Sequence, residues 1–270
     1  MSETRRVTIV TGHYGSGKSE FSINLALLRA GGQEGEQAAS RGAPHPVALA
    51  DVDVVNPYFR SREQRSLLES RGIKVVGNQL NIDQGVDLPA ISPEVFGLVR
   101  NRETRTILDA GGDPVGARFL GSMRRVLDPL ETEVLCVING SRPETAQVHQ
   151  AIAMIRSIEA AAGLAVTGLV NNTHMLEHTV LGHLLEGEKL CEGISRETGI
   201  PLRYVGVPLW LCDAVRGGGA DGGGANGGGP DGSAPDDGDN GTVTLRGQIV
   251  PVAMYLRESW MNTPAALEEE

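Results

Sequence analysis

The sequence predicts an α/β protein, a three-layer sandwich with a mostly parallel sheet. Short β-branched runs alternate with helical patterns along most of the chain, which is the order of βαβ units. Several of these runs are continuously apolar, as expected of strands covered on both faces. The 270 residues suit one domain of this kind, 1–270, large enough to fold without a disulfide or a structural metal.

The elements follow in order. Val7–Thr11 is a β-branched run and Ser19–Arg29 a helical pattern. Gly31 to Pro46 (31–46) is rich in Gly, Gln, Ala and Pro and reads as a surface loop. Val47–Ala50, Ile73–Val76, Thr106–Leu108 and Val134–Ile138 are short apolar strands. Pro143–Ala162 is a helix, Ala165–Val170 a strand, Gly182–Thr198 a helix and Leu202–Val207 a strand. Residues 217–241 hold 12 glycines and five aspartates without one large apolar side chain, so nothing there offsets the entropy of ordering it. This stretch reads as a disordered insert, and its aspartates lack EF-hand spacing. Residues 262–270 end in three glutamates and read as a frayed tail.

Composition excludes several classes. No apolar run approaches the roughly 18 residues of a membrane span. The start, Met1 to Arg6, leads into a strand and not into the apolar core of a signal peptide. Cys136, Cys191 and Cys212 lie far apart without a CxxC pair, against a disulfide framework or a Cys-held metal. The expectation is a cytoplasmic protein. The formal charge is −10, but the insert carries five of those charges and the tail three, so the remaining chain is nearly balanced. Acidity makes nucleic acid a disfavoured partner, with the arginine groups at 60–65, 100–105 and 124–125 keeping that door open.

The chemistry is concentrated at strand ends, where α/β sheets bind ligands. After Val7–Thr11 comes Gly12-His13-Tyr14-Gly15-Ser16-Gly17-Lys18-Ser19. This is GxxxxGK(S/T), a phosphate loop between strand and helix. Its backbone N–H groups form an anion nest and the helix points its positive end at the phosphates. Lys18 supplies a point charge to the β- and γ-phosphates, and the Ser19 hydroxyl is placed for Mg²⁺. Lys18 is one of three lysines against 21 arginines, so lysine is not this chain's default cation.

Two acidic segments match the loop. Asp109 ends an apolar run and begins DxxG, so that Asp109 holds Mg²⁺ through water and the Gly112 N–H senses the γ-phosphate. Asp51-Val-Asp53 opens Asp51–Arg62, where one carboxylate serves the metal and the other orients an attacking water. Tyr58 and Phe59 pack on the core or form a nucleotide-dependent contact surface.

These residues resemble the MinD/ParA class of P-loop ATPases, also described as the CobQ/CobB/MinD/ParA nucleotide-binding domain. The runs GHYGSGKSEFSINLAL (12–27) and DVDVVNPYFRSRE (51–63) also resemble a poorly characterised branch described as ATP-binding proteins. The resemblance implies that Asp53 orients the water and that Asp51, Asp109 and Ser19 serve the metal. It also implies catalytic roles for Lys18 and Asp53, and a homodimer formed on ATP. One position departs: the class often has a lysine after the first loop glycine, reaching the partner's nucleotide, and here that residue is His13. A neutral imidazole is no equivalent, which leaves Arg60 or Arg62 as alternative sources of charge.

At the base end, Gly168-Leu-Val-Asn171-Asn172-Thr-His174 lacks the Lys and Asp of the GTP-specific (N/T)KxD pattern. By the resemblance, Asn171 or Asn172 touches adenine and Pro208 closes the pocket; an amide offers both donor and acceptor. His174-Met-Leu-Glu177-His178 matches HxxEH, but it abuts a base-binding strand and has no third ligand. The function expected is Mg²⁺-dependent ATP binding and hydrolysis as a switch acting on a partner protein, with no membrane contact. The rivals are a small-molecule kinase or ATP-dependent ligase, with Asn78–Pro93 as part of its acceptor pocket, and a non-hydrolytic ATP-binding module.

Overall fold

The computed structural model describes residues 5–31, 45–53, 61–77, 92–112, 114–217 and 242–256. Most of the 31–46 loop, the 217–241 insert beyond Gly217, the 262–270 tail, Tyr58, Phe59, Arg60, Asp113 and the Asn78–Pro93 loop up to residue 91 lie outside the described residues, as does the Arg62 side chain.

Strands β1 (Val7–Gly12), β2 (Val47–Asp51), β3 (Ile73–Gly77), β4 (Arg105–Asp109), β5 (Thr132–Ile138), β6 (Gly168–Asn171), β7 (Leu202–Pro208) and β10 (Gln248–Val252) form one sheet. Its order is β10-β7-β6-β5-β1-β4-β2-β3, and each neighbouring pair is parallel. A parallel sheet must be covered on both faces, and the strand residues sort by alternation into two cores. In β5, Val134, Cys136 and Ile138 join one core, and Leu135 and Val137 the other. Helices α3 (Pro93–Arg100), α4 (Pro114–Met123), α5 (Val148–Ala162) and α6 (Leu181–Thr198) cover the first face. Helices α1 (Lys18–Arg29) and α2 (Arg65–Ser70) cover the second. β8 (Val215–Gly217) and β9 (Val243–Leu245) form a separate parallel pair at the two ends of the insert.

The seven sequence-predicted strands are all present. The strand predicted from Ala165 starts at Gly168; just ahead of it the Thr167 hydroxyl oxygen, not a backbone carbonyl, accepts from Val134 N at 2.9 Å. The helix predicted from Pro143 is broken: a 3₁₀ turn, Pro143–Thr145, precedes α5, and Gln147 between them is extended. The Thr145 hydroxyl donates 2.7 Å to the Asn139 carbonyl, which holds the turn down. β10 was not expected. It pairs with β7 from Gln248↔Tyr204 to Val252↔Pro208 and carries the chain past α1.

That last contact explains an oddity of α1. Residues 21 to 27 are all buried, so the helix is covered on every side and not along one stripe. The sheet lies beneath it. The segment after β10 lies beside it, where Asn24 Nδ2 donates 2.9 Å to Ala253 O and Ala253 N returns 2.9 Å to Asn24 Oδ1.

Candidate functional site

β1 ends centrally in the sheet, between β4 and β5, and the loop Gly12–Ser19 leaves it there. Gly17 sits at φ 82°, and a Cβ there would collide with Asn172 Nδ2; Gly is required on both counts. The Ser16 N–H donates 3.2 Å to His13 O. Lys18 is buried and its Nζ folds back to His13 O at 3.3 Å. The Ser16 hydroxyl is buried without a hydrogen-bond partner among the described residues. The loop thus holds a curled backbone, a lysine with its charge turned to the loop and the N-terminus of a twelve-residue helix.

Behind the loop stand the carboxylates. β2 and β4 are neighbours, and Asp51 pairs in register with Asp109, so both side chains lie on one face of the sheet. Both are buried, and Asp53 nearly so. Asp53 N donates 3.2 Å to Asp51 Oδ1, and the Asp53 carboxylate lies against Gly111. Burial pushes the Asp109 carboxyl up to about 6. The Ser19 hydroxyl, the Lys18 ammonium and the Ser61 hydroxyl pull it down, while the Asp53 charge adds to the rise. Lys18, Ser19, Asp53 and Asp109 therefore share one electrostatic neighbourhood. Gly112 passes so close to the first loop glycine that a Cβ would overlap Gly12 O.

This donor set fits Mg²⁺. Asp109 Oδ2 is buried with no hydrogen-bond partner among the described residues, a costly condition that a hydrated cation relieves. Among the described residues no three His, Cys, Asp or Glu side chains make a protein-only cage. Mg²⁺ does not need one, since it keeps several waters and takes substrate phosphates as ligands.

A cleft of about 810 Å³ opens in front of the loop, a size typical for a small ligand. His13, Tyr14, Gly15, Gly17, Lys18, Ser19, Asn172 and Pro208 line it. Gly12, Ser16, Gly112, Asn171, Asp51, Asp53 and Asp109 do not.

Alternation along β6 separates the two asparagines. Asn171 donates 2.9 Å to Leu184 O and accepts from Thr173 N, pointing into the α6 side. Asn172 points the other way and donates 2.8 Å from Nδ2 to Ser16 O, tying the base-end strand to the phosphate loop. Three positions after Asn172 stands Met175, half exposed.

Several lining residues were not singled out from the sequence. Val252, Met254 and Leu256 add an apolar wall beside Pro208, with which Val252 pairs in register. Glu20, on α1, holds that wall: Oε1 accepts from Tyr255 N at 2.6 Å and Oε2 from Leu256 N at 3.1 Å. Burial raises the Glu20 carboxyl to about 7 against those two bonds. Arg142, from the turn after β5, donates 3.0 Å from Nε to Gly15 O. His174 lines the cleft too, and burial, with Arg142 nearby, lowers its pKa to about 4. The run 174–178 is not helical. The HxxEH argument, two histidines on one helix face, therefore does not apply to it, and the His178 ring is exposed beside Glu177.

No protein-family model matches the chain, and no curated protein matches it. Solved structures do. The signal recognition particle receptor FtsY from Elizabethkingia anophelis is 23% identical, covering 77% of this chain and 60% of that one, with a TM-score of 0.47. A nucleotide-binding protein in complex with ADP from Archaeoglobus fulgidus is 18% identical, covering 75% and 80%, with a TM-score of 0.42. The signal recognition particle 54 kDa protein from Aeropyrum pernix in complex with GDP is 18% identical, covering 76% and 42%, with a TM-score of 0.46. The chain spans about three fifths of the length of the first of these.

The fold is that of a P-loop NTPase. Its parallel sheet carries the phosphate loop on the central strand and the carboxylates on the two strands beside it in the order β1-β4-β2. Among the described residues no helix is long and apolar enough to cross a membrane.

Proposed function

We propose that the chain is a Mg²⁺-dependent ATPase of the MinD/ParA kind, acting as a nucleotide-dependent switch on a partner protein. The observation that carries hydrolysis is that Asp51, Asp53 and Asp109 stand together behind the loop that holds Lys18 and Ser19: Asp51 pairs in register with Asp109, Asp53 N donates to Asp51 Oδ1, and Asp109 accepts from Ser22 on the loop's own helix. Ser19 and Asp109, with Asp51, would hold the metal, which would screen the phosphate charge when bound. Lys18 swings from His13 O to the β- and γ-phosphates. Asp53 orients the water. That water's oxygen bonds to the γ-phosphorus as the bond to the β–γ bridging oxygen breaks. The bridging oxygen leaves on ADP, and the water's proton ends on inorganic phosphate. Positioning and charge stabilisation supply most of the rate in such transfers.

The choice of ATP over GTP rests on Asn172. With Asn172 as the base-end asparagine, the carboxylate of the GTP pattern is replaced by Met175. Both oxygens of Glu20, a carboxylate that does line the cleft, are engaged by backbone N–H groups. Among the described residues no carboxylate stands three positions after Asn172, where the GTP pattern meets guanine N1 and N2, and a missing pair of that kind is worth about 1–3 kcal/mol. ATP should bind roughly tenfold or more tightly than GTP. The switch follows from the two segments Asp53–Arg62 and Gly111–Asp113, whose γ-phosphate contacts hydrolysis removes.

The test is single-turnover ATP hydrolysis with equilibrium binding of ATP, GTP and ADP. ADP and phosphate should form in equal amounts without any acceptor. Turnover that depends on an added metabolite would replace this reading by a kinase.

A further inference from the structure

We propose that Arg142 is an arginine finger supplied in cis, which contacts the triphosphate chain and provides the positive charge that His13 does not. The inference rests on the ATPase reading and deepens it.

Arg142 is held in place from both ends. Its N–H donates 3.1 Å to Asn139 O, and its carbonyl accepts 3.0 Å from Thr145 N. The turn is tied to the base-end loop, where Gly140 N donates 3.0 Å to Thr173 Oγ1. The side chain then reaches 127 residues back along the sequence, and Nε donates 3.0 Å to Gly15 O. Guanidinium atoms come within 3.4–3.7 Å of where a Gly15 Cβ would stand. A longer side chain on the loop would push the arginine off; glycine admits it.

The chemistry follows from the fork. A guanidinium has five N–H donors in a plane. Nε is spent on the loop carbonyl, and among the described residues the two Nη groups donate to no protein acceptor. Arg142 lines the cleft together with Gly15 and Lys18. A planar, always-charged fork pinned by one edge is suited to bidentate contact with phosphate oxygens. Its reach to the ligand space is independently visible at His174, whose protonated form its charge disfavours. During hydrolysis, negative charge builds on the β–γ bridging oxygen as its bond to phosphorus breaks, and the guanidinium offsets it. His13 lines the same cleft, but its Nδ1 is held 2.8 Å from Tyr14 O on the loop's own backbone, and an imidazole lacks the planar, always-charged fork.

The experiment compares wild type with Arg142→Ala, Arg142→Lys and Lys18→Ala. Single-turnover hydrolysis of Mg·ATP in Arg142→Ala should fall by about 10²-fold or more, within or somewhat below the range of known arginine fingers. ADP affinity should change less than about threefold. Arg142→Lys should recover little, since a point charge lacks the fork, and added guanidinium ion should restore part of the Arg142→Ala rate. The wild-type rate constant should not depend on protein concentration. Hydrolysis within about threefold of wild type overturns the proposal. So does equal loss of ATP and ADP affinity at an unchanged rate, which would make Arg142 a brace for the loop. A rate that rises with protein concentration places the charge in a second copy and overturns the cis assignment. If Lys18→Ala loses ATP while Arg142→Ala hydrolyses normally, the finger is wrong and the ATPase reading stands. A wild type that binds no ATP ends both.

Discussion

At the scale of single residues, the site separates binding from turnover. Lys18 sits at the loop with its ammonium on His13 O, and Asp53 sits behind it, its N–H on Asp51 Oδ1 and its carboxylate against Gly111. Lys18→Ala should therefore abolish tight ATP binding, measured by titration with a fluorescent analogue. Asp53→Ala should leave the dissociation constant within a few-fold and slow single turnover by 10²-fold or so, since water orientation acts in the transition state. Intact turnover in Asp53→Ala would remove that residue from the mechanism. In the proposed function Asn172 has a double role, on the base and on Ser16 O, the second of which is its hydrogen bond in the structure. Asn172→Ala leaves a buried carbonyl without its donor, at about 1–3 kcal/mol, so it should lower both ATP affinity and melting temperature. Asn171→Ala should lower melting temperature alone, because that side chain bonds inside α6. The pair was a tie in the sequence, where two adjacent amides look alike; the direction of successive side chains along a strand breaks the tie.

At the scale of elements, what was legible was local. Seven strands showed as apolar runs, and the phosphate loop as a motif between strand and helix. What was hidden depends on contacts distant in sequence. Arg142 meets Gly15 across 127 residues, and Glu20 meets Tyr255 across 235; neither leaves a periodic or compositional mark. β10 was hidden by Pro251, which reads as a strand breaker. It is tolerated at an edge of the sheet. Yet this strand delivers the apolar wall of the cleft, and α1 holds that wall through Glu20 and Asn24. The Gln64 side chain, just past the first acidic segment, also donates 2.8 Å to Tyr255 O. The apolar wall is therefore anchored to the helix that follows the Gly12–Ser19 loop and to Gln64, two residues past Asp51–Arg62. Asn24→Ala removes both bonds to Ala253 without touching a phosphate contact. It should raise the KM for ATP by roughly tenfold with kcat nearly kept. An unchanged KM would show that the wall does not meet the base.

At the scale of the whole molecule, two buried carboxylates set how stability, pH and ligand are linked. Asp109 moves from an ordinary 3.8 to about 6, and Glu20 from 4.5 to about 7, both through burial. The folded chain thus binds these protons more tightly than the unfolded chain. Their contribution to stability is full below about pH 4 and is lost as pH rises through 6 and then 7. The nucleotide-free protein should melt at a lower temperature at pH 7.5 than at pH 5.5, and Glu20→Gln should flatten the upper part of that fall. In the proposed function Mg·ATP reverses the sense at Asp109. The metal needs the ionised carboxylate, so binding releases a proton below pH 6 and is weakened there. At a hundredfold excess over its dissociation constant the ligand adds about 2.7 kcal/mol. For a chain of this size that is roughly 5–10 °C in melting temperature. This gain should grow from pH 5.5 to 7.5 at fixed Mg·ATP. The triphosphate titrates in the same range, so the deciding comparison is Asp109→Asn, which keeps the volume and removes the titrating group. Its ligand-induced shift should be smaller at pH 7.5 and should depend less on pH than that of wild type. Equal pH profiles for the two proteins would mean that Asp109 does not serve the metal.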